Sequence, residues 1–277
     1  MISPDASRRL ELRQHARRIA RPTTVRELPA RSLVVLAAVA LAVLLAVAGS
    51  ARGAAGPVTV GAVAVAFAVL TAGWTRLVGL PSRKGTVITV GITAVLLLAS
   101  VALPRDGASL RWVPAALALG VVSAFLHQLL RRDGRPRVVT SLSGTLLALA
   151  LLASGVTWVA VPGLPGGERG AQVAGAAVAV TALVEWLLHR ARRWPTIVPG
   201  AVVAGTGTAL VVAVLVGAPL LPAGLLGVAC SGLGLATRAL MAPLPTLVVH
   251  RAQLVSGVAS VLVCGPAVEM VTRHLLG

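Results

Sequence analysis

Residues 171–193, AQVAGAAVAVTALVEWLLHRARR, decide the fold. Ala171 to Val184 carry no charge; then a glutamate appears, followed by a histidine and a cluster of arginines. A helix on the surface of a soluble domain needs a polar face, and this run has none. About twenty such residues cross a bilayer as a helix, because only a helix satisfies its own backbone groups in hydrocarbon. The composition extends this reading to the whole chain. Of 277 residues 57% are hydrophobic and only 12% charged, and the mean hydropathy is +0.91, far outside the usage of soluble domains. A net charge of +17 would point to nucleic acid in a soluble protein, but here the arginines form short runs between apolar segments rather than one basic face. With five Trp, two Phe and no Tyr, stacking platforms for bases are not expected, and nucleic acid is not an expected partner.

Nine spans are predicted: Ser32 to Gly49, Gly56 to Trp74, Thr86 to Leu103, Trp112 to Leu130, Val138 to Val161, Ala171 to Leu188, Thr196 to Gly217, Ala223 to Leu240, and Ala252 to Val271. The joints, such as GLPSRKG, LPRDGASLR and VPGLPGGERG, are short and rich in Gly, Pro and Arg. The fold class is therefore an all-α polytopic transmembrane bundle, with residues 1–31 as a basic tail and 32–277 as the membrane domain. Lysine and arginine counts orient it. With the N-terminus cytoplasmic, 20 of the 25 basic residues fall inside, Arg238 among them as an inner charge, and only Arg52, Arg105, Arg111, Arg169 and Arg273 fall outside. Gaining or losing one span would reverse every later loop and spoil that asymmetry. The expected place is the cell (inner) membrane, with the C-terminus outside. Trp74, Trp186 and Trp194 fall at inner boundaries, and Trp112 and Trp158 near outer ones, where amphipathic rings prefer to sit.

The start is not expected to be a signal peptide, since both its basic stretch and its apolar run are too long. The tail, SRRLELRQHARRIARPTTVREL, reads either as an interfacial helix on anionic lipid or as a disordered topogenic segment. AFLHQLLRR (124–132) weakly echoes ALVEWLLHR (182–190), which puts His127 and Glu185 at one register, about a turn before the cytoplasmic boundary.

Few polar groups lie in the spans. Glu185 has His189 and Arg192 at i+4 and i+7, which allows a local ion pair at the interface. The sharper alternative gathers His127, Gln128, Arg131, Glu185 and His189 into a polar vestibule open to the cytoplasm, able to relay protons or hold a headgroup. Glu269 and Arg273, at i and i+4, read as a boundary ion pair. In the seventh and eighth spans Gly200, Gly205, Gly207, Gly232 and Gly234 read as close-packing positions, or, beside Pro199, as an interrupted helix of the kind transporters use. MAPLPTLVVHR (241–251) is expected in the inner interface or slightly re-entrant. Cys230 and Cys264 share a depth and are expected to be reduced packing residues.

No catalytic residues, metal site or cofactor are predicted. GxSxG, HExxH and Walker patterns are absent, and GTGTAL lacks the strand a nucleotide loop requires. Nine spans with a cytoplasmic N-terminus are also the arrangement of integral-membrane phosphatidate cytidylyltransferases. Their signature needs a Lys-Asp pair and further acids, whereas Lys84 is the only lysine here and no acid lies between Glu185 and Glu269.

In its Ala, Val, Leu and Arg bias, and in TRLVGLPSRKGT, RWVPAALALGVVSAFLHQLLRRDGRPR and RAQLVSGVASVLVCG, nearly the whole chain resembles the multi-pass integral membrane proteins of actinobacteria loosely labelled permeases. That resemblance implies no established activity and transfers no site residue. Three function classes follow: a transporter-like or accessory membrane protein, a lipid-headgroup enzyme at the cytoplasmic face, and a structural partner in an envelope complex. The bilayer itself, with anionic lipid at the cytoplasmic face, is the expected partner of all three; oligomers or protein partners are left open.

Overall fold

The structure, a computed structural model, describes residues 32–51, 55–102, 110–130 and 137–276. The basic tail 1–31 and Arg131 lie outside the described residues. The helices are α1 (Ser32–Gly49), α2 (Ala55–Leu77), α3 (Arg83–Ala102), α4 (Val113–Leu130), α5 (Val138–Ala160), α6 (Gly167–Arg190), α7 (Ile197–Val216), α8 (Leu220–Met241), α9 (His250–Leu262) and α10 (Gly265–Val271). Among the described residues there is no strand. Among the described residues nine segments are long and apolar enough to cross a membrane, the ninth being α9 and α10 together with the turn that follows, and the chain is a polytopic membrane protein.

The spans pack in two groups. One holds α1, α6, α7 and α8, with α6 touching the other three; the second holds α2, α3, α4 and α5. The ninth span lies between them: α9 meets α1, α2, α5 and α8, and α10 meets α5 and α8. Lipid tails are as apolar as leucine, so contact between such helices comes from close packing at small residues. A Cβ on Gly175 of α6 would sit 2.6 Å from the Ala42 carbonyl oxygen of α1, and one on Gly257 of α9 would collide with the Val34 carbonyl of the same helix. Two glycines thus clasp α1 from either side. Large apolar side chains such as Val65, Val95, Val203 and Leu215 point outward, where a bilayer would cover them.

Consecutive spans alternate in direction, so the α2–α3, α4–α5, α6–α7 and α8–α9 joints share one end of the bundle. We call this the basic end, after Arg76, Arg83, Lys84, Arg190, Arg192 and Arg193. MAPLPTLVVHR lies here, with a short 3-10 turn at Pro245–Val248, a buried Leu247, and the Thr246 hydroxyl bonded to the Leu77 carbonyl of α2.

Two tryptophans correct the boundary-belt expectation. Trp74 and Trp158 are both buried at 1% exposure; their indole N–H groups donate to Gly144 O (2.8 Å) and Val261 O (3.2 Å). A buried indole is tolerated when its N–H finds an acceptor, and each of these links two spans. Trp112 and Trp186 keep surface positions, each with an arginine stacked about 5 Å from the ring, Arg111 and Arg190.

The interruption considered for the seventh and eighth spans occurs in the ninth instead. α7 and α8 run unbroken, whereas α9 ends at Leu262 and α10 starts at Gly265. Pro266 is the cause: it has no N–H to give the Leu262 carbonyl and its ring crowds the preceding turn. The Val261 carbonyl beside the break accepts from Trp158, and the Cys264 thiol caps Ser260 O at 3.4 Å while approaching Cys230 O at 3.5 Å. Both cysteines are free and buried.

Candidate functional site

Arg238 is the most deeply buried charge among the described residues, at 4% exposure. The sequence tally treated it as an inner topology charge; instead α8 continues through Met241 and Arg238 faces the bundle. The reason is directional. Side chains on a helix lean toward its N-terminus, and the N-terminus of α8 lies at the far end of the bundle, so the arginine leans away from the nearby basic end. The same lean on α6 carries Glu185 inward, and the two meet. Arg238 Nε donates to Glu185 Oε2 at 2.6 Å.

From α9, Ser260 completes the group. Its hydroxyl accepts from Arg238 Nη1 at 3.1 Å and donates to Gly257 O at 2.7 Å. Gly234, a turn before Arg238 on α8, makes room: a Cβ there would stand 3.3 Å from Nη1 and from Ser260 O. Three helices from separate parts of the chain are joined at one guanidinium. Its third nitrogen, Nη2, is buried and has no hydrogen-bond partner among the described residues. A guanidinium presents five N–H donors in a fixed fork, and Nη2 carries two of them. Leaving such donors unmade in low dielectric is costly, so the position calls for an acceptor.

About a turn farther from the basic end the seam stays polar. Thr181 of α6 and Ser231 of α8 have hydroxyls 2.8 Å apart, and Thr181 also donates to Ala177 O. Gly205 of α7 permits this, since any Cβ there would collide with both hydroxyls. Cys230 and Cys264 continue the line toward the break in the ninth span. The Glu185 side chain is 16% exposed against 3% for Arg238, so the carboxylate is the less enclosed member of the pair.

The residues of the expected vestibule are divided between two places. His127 of α4 has Nε2 3.0 Å from the Ser82 hydroxyl and fills the space that any side chain at Gly85 would need. Gln128 donates to Ser141 of α5 at 2.9 Å. Both therefore tie α4 to its neighbours in the second helix group. Glu185 and His189 stay together on α6, where His189 Nδ1 lies 2.9 Å from the Glu185 backbone oxygen. The carboxylate pairs with Arg238 across helices rather than with His189 or Arg192 along its own. Arg192 is in the turn after α6 with φ 55°, which takes it off the face a continued helix would have given it. α4 packs on α3 and α5, α6 on α1, α7 and α8, so the shared register of His127 and Glu185 reflects depth rather than contact.

Among the glycines, Gly205 and Gly234 line the polar seam, Gly200 meets Leu188 at 3.0 Å, and Gly207 and Gly232 face open space. Glu269 and Arg273 form their i,i+4 pair at 2.6 Å. No group of three or more His, Cys, Asp or Glu converges among the described residues, so they present no ready-made metal cage.

Sequence reasoning missed Arg238 and Ser260. One signal was present: after Arg238 come Ala-Leu-Met-Ala-Pro-Leu-Pro and no charge before Arg251, so the apolar segment runs on past the arginine. Comparison with protein-family models, with curated proteins and with solved structures finds no match for this chain.

Proposed function

We propose that this polytopic membrane protein is transporter-like, and that its solute-facing centre is the Glu185–Arg238–Ser260 joint. The observation that carries this is the buried Arg238 Nη2, a charged donor without an acceptor at the meeting point of three helices. A solute bearing a carboxylate, phosphate or carbonyl oxygen matches that donor. Glu185 neutralises the arginine between visits, which keeps a lone cation out of the low-dielectric interior. The kink at Pro266 in the ninth span supports the same function, because it supplies a hinge beside the polar seam. The paucity of acids in the spans argues against coupling to a cation or proton. By the positive-inside rule the basic end faces the cytoplasm, in the cell membrane.

A transporter has to admit water to its centre, and a static accessory bundle does not. Ser260→Cys in a Cys230→Ala/Cys264→Ala background is expected to react in native membranes with a small, impermeant cationic thiol reagent added at the basic end. In the parent protein Cys230 and Cys264, deeper along the seam, should label at least about tenfold more slowly and reach full labelling only after denaturation. Equal protection of all three positions would make the joint a purely structural contact and remove the transport proposal.

A further inference from the structure

At the basic end α2 and α3 enclose a groove of about 390 Å³, and its lining divides by chemistry along the bundle axis. Arg76 of α2 and Arg83 and Lys84 of α3 hold the outer rim; Ala72, Val87 and Ile88 line the wall. The spacing is regular. Ala72 precedes Arg76 by four residues, Val87 follows Arg83 by four, and Ile88 follows Lys84 by four. Each cation therefore has an apolar residue one helical turn deeper, about 5–6 Å toward the middle of the bundle.

Among the described residues the rim has no counter-ion. All three cations are exposed, and no carboxylate among the described residues pairs with any of them. Arg83 and Lys84 occupy the first turn of α3, which contains no acidic residue. The helix dipole makes a cation unfavourable there and an anion favourable, so the rim is poised for negative charge. Its geometry is held from the opposite side of α3, where Ser82 meets His127 and the His127 ring packs against Gly85.

We infer that this groove binds one acidic glycerophospholipid, its phosphate on Arg76, Arg83 and Lys84 and the first acyl carbons on Ala72, Val87 and Ile88. The phosphate alone would use the rim and leave the apolar wall bare; a lipid uses both, and Ile88 at 60% exposure already faces the bilayer. Three cations in one groove add a geometric preference to the general attraction of Lys and Arg to an anionic leaflet. The site is independent of the Arg238 joint, which lies in the other helix group.

Native mass spectrometry of the full chain in detergent, titrated with phosphatidylglycerol, phosphatidylcholine or inorganic phosphate, tests this. The expected result is one tightly retained phosphatidylglycerol, at least about fivefold more occupied than phosphatidylcholine and not displaced by millimolar inorganic phosphate. Arg76→Gln/Arg83→Gln/Lys84→Gln should lose that adduct, while Arg192→Gln/Arg193→Gln, a control at the same end, should keep it. Ile88→Glu, a single exposed change in the wall, should also lower occupancy, and it guards against misfolding of the triple variant. Retention of the adduct by the triple variant and by Ile88→Glu overturns the site. Equal binding of phosphatidylcholine reduces it to ordinary lipid contact, and displacement by inorganic phosphate makes it a solute site instead.

Discussion

Glu185→Gln is expected to destabilise the protein by about 2–3 kcal/mol in detergent unfolding, a larger effect than that of Arg238→Met. Removing one partner of a buried ion pair leaves the other charge uncompensated, at about 3–5 kcal/mol in fully buried cases. The lower figure reflects the 16% exposure of the Glu185 side chain. The asymmetry follows from what remains. After Glu185→Gln the guanidinium stays charged among buried residues, with only neutral acceptors, the new amide oxygen and the Ser260 hydroxyl, to balance it. After Arg238→Met the remaining carboxylate is the less enclosed of the two groups and can turn outward. The double variant Glu185→Gln/Arg238→Met should recover most of the loss, giving a double-mutant cycle with strong positive coupling. Additive losses would mean that the two side chains do not share a buried contact.

Gly257→Ala is expected to cost about 1–3 kcal/mol, the usual range for overpacking. The new methyl would collide with the Val34 carbonyl of α1 and come within 2.8 Å of Ala37 Cβ and 3.0 Å of Ala38 N. Two of those three are backbone atoms, so no rotamer change relieves the contact and α1 has to separate from α9. Gly232→Ala, with nothing within 4 Å of the new Cβ, should be neutral within about 0.5 kcal/mol, in the range of surface changes. Thermal unfolding of the two variants side by side separates close approach from helix propensity, because both glycines lie in helix interiors and carry the same propensity penalty. Replacing glycine by alanine relieves that penalty equally at both positions, so equal effects in the two variants would remove the close approach of α1 and α9 as the explanation.

These two cases mark how far the sequence could be read. The nine spans were legible because a hydrocarbon core imposes a length and a composition that single residues cannot hide. The Glu269–Arg273 pair was legible because i,i+4 spacing on a helix is local geometry. Helix rotation was not. A span that is apolar on every side has almost no amphipathic direction, so its sequence does not say which face meets a neighbour. Glu185 stood out as an acid in an apolar span, yet its partner sits 53 residues away on α8, and only the inward lean of both side chains brings them together. The same indifference hid the burial of Trp74 and Trp158, which hydropathy alone reads as boundary rings. Pro266 sat in plain view, but one proline in an apolar run does not distinguish a bend from a break without the partners of the freed carbonyls.

Every placement here, from the shared basic end to the meeting of α6, α8 and α9, depends on nine crossings with alternating direction. Reporter fusions test this most directly, one inserted within residues 133–137 and one after Gly277. The account predicts opposite sides of the membrane, with the internal fusion in the cytoplasm and the C-terminal fusion outside. Both reporters on the same side would contradict the nine-span arrangement, and with it the joint at Arg238.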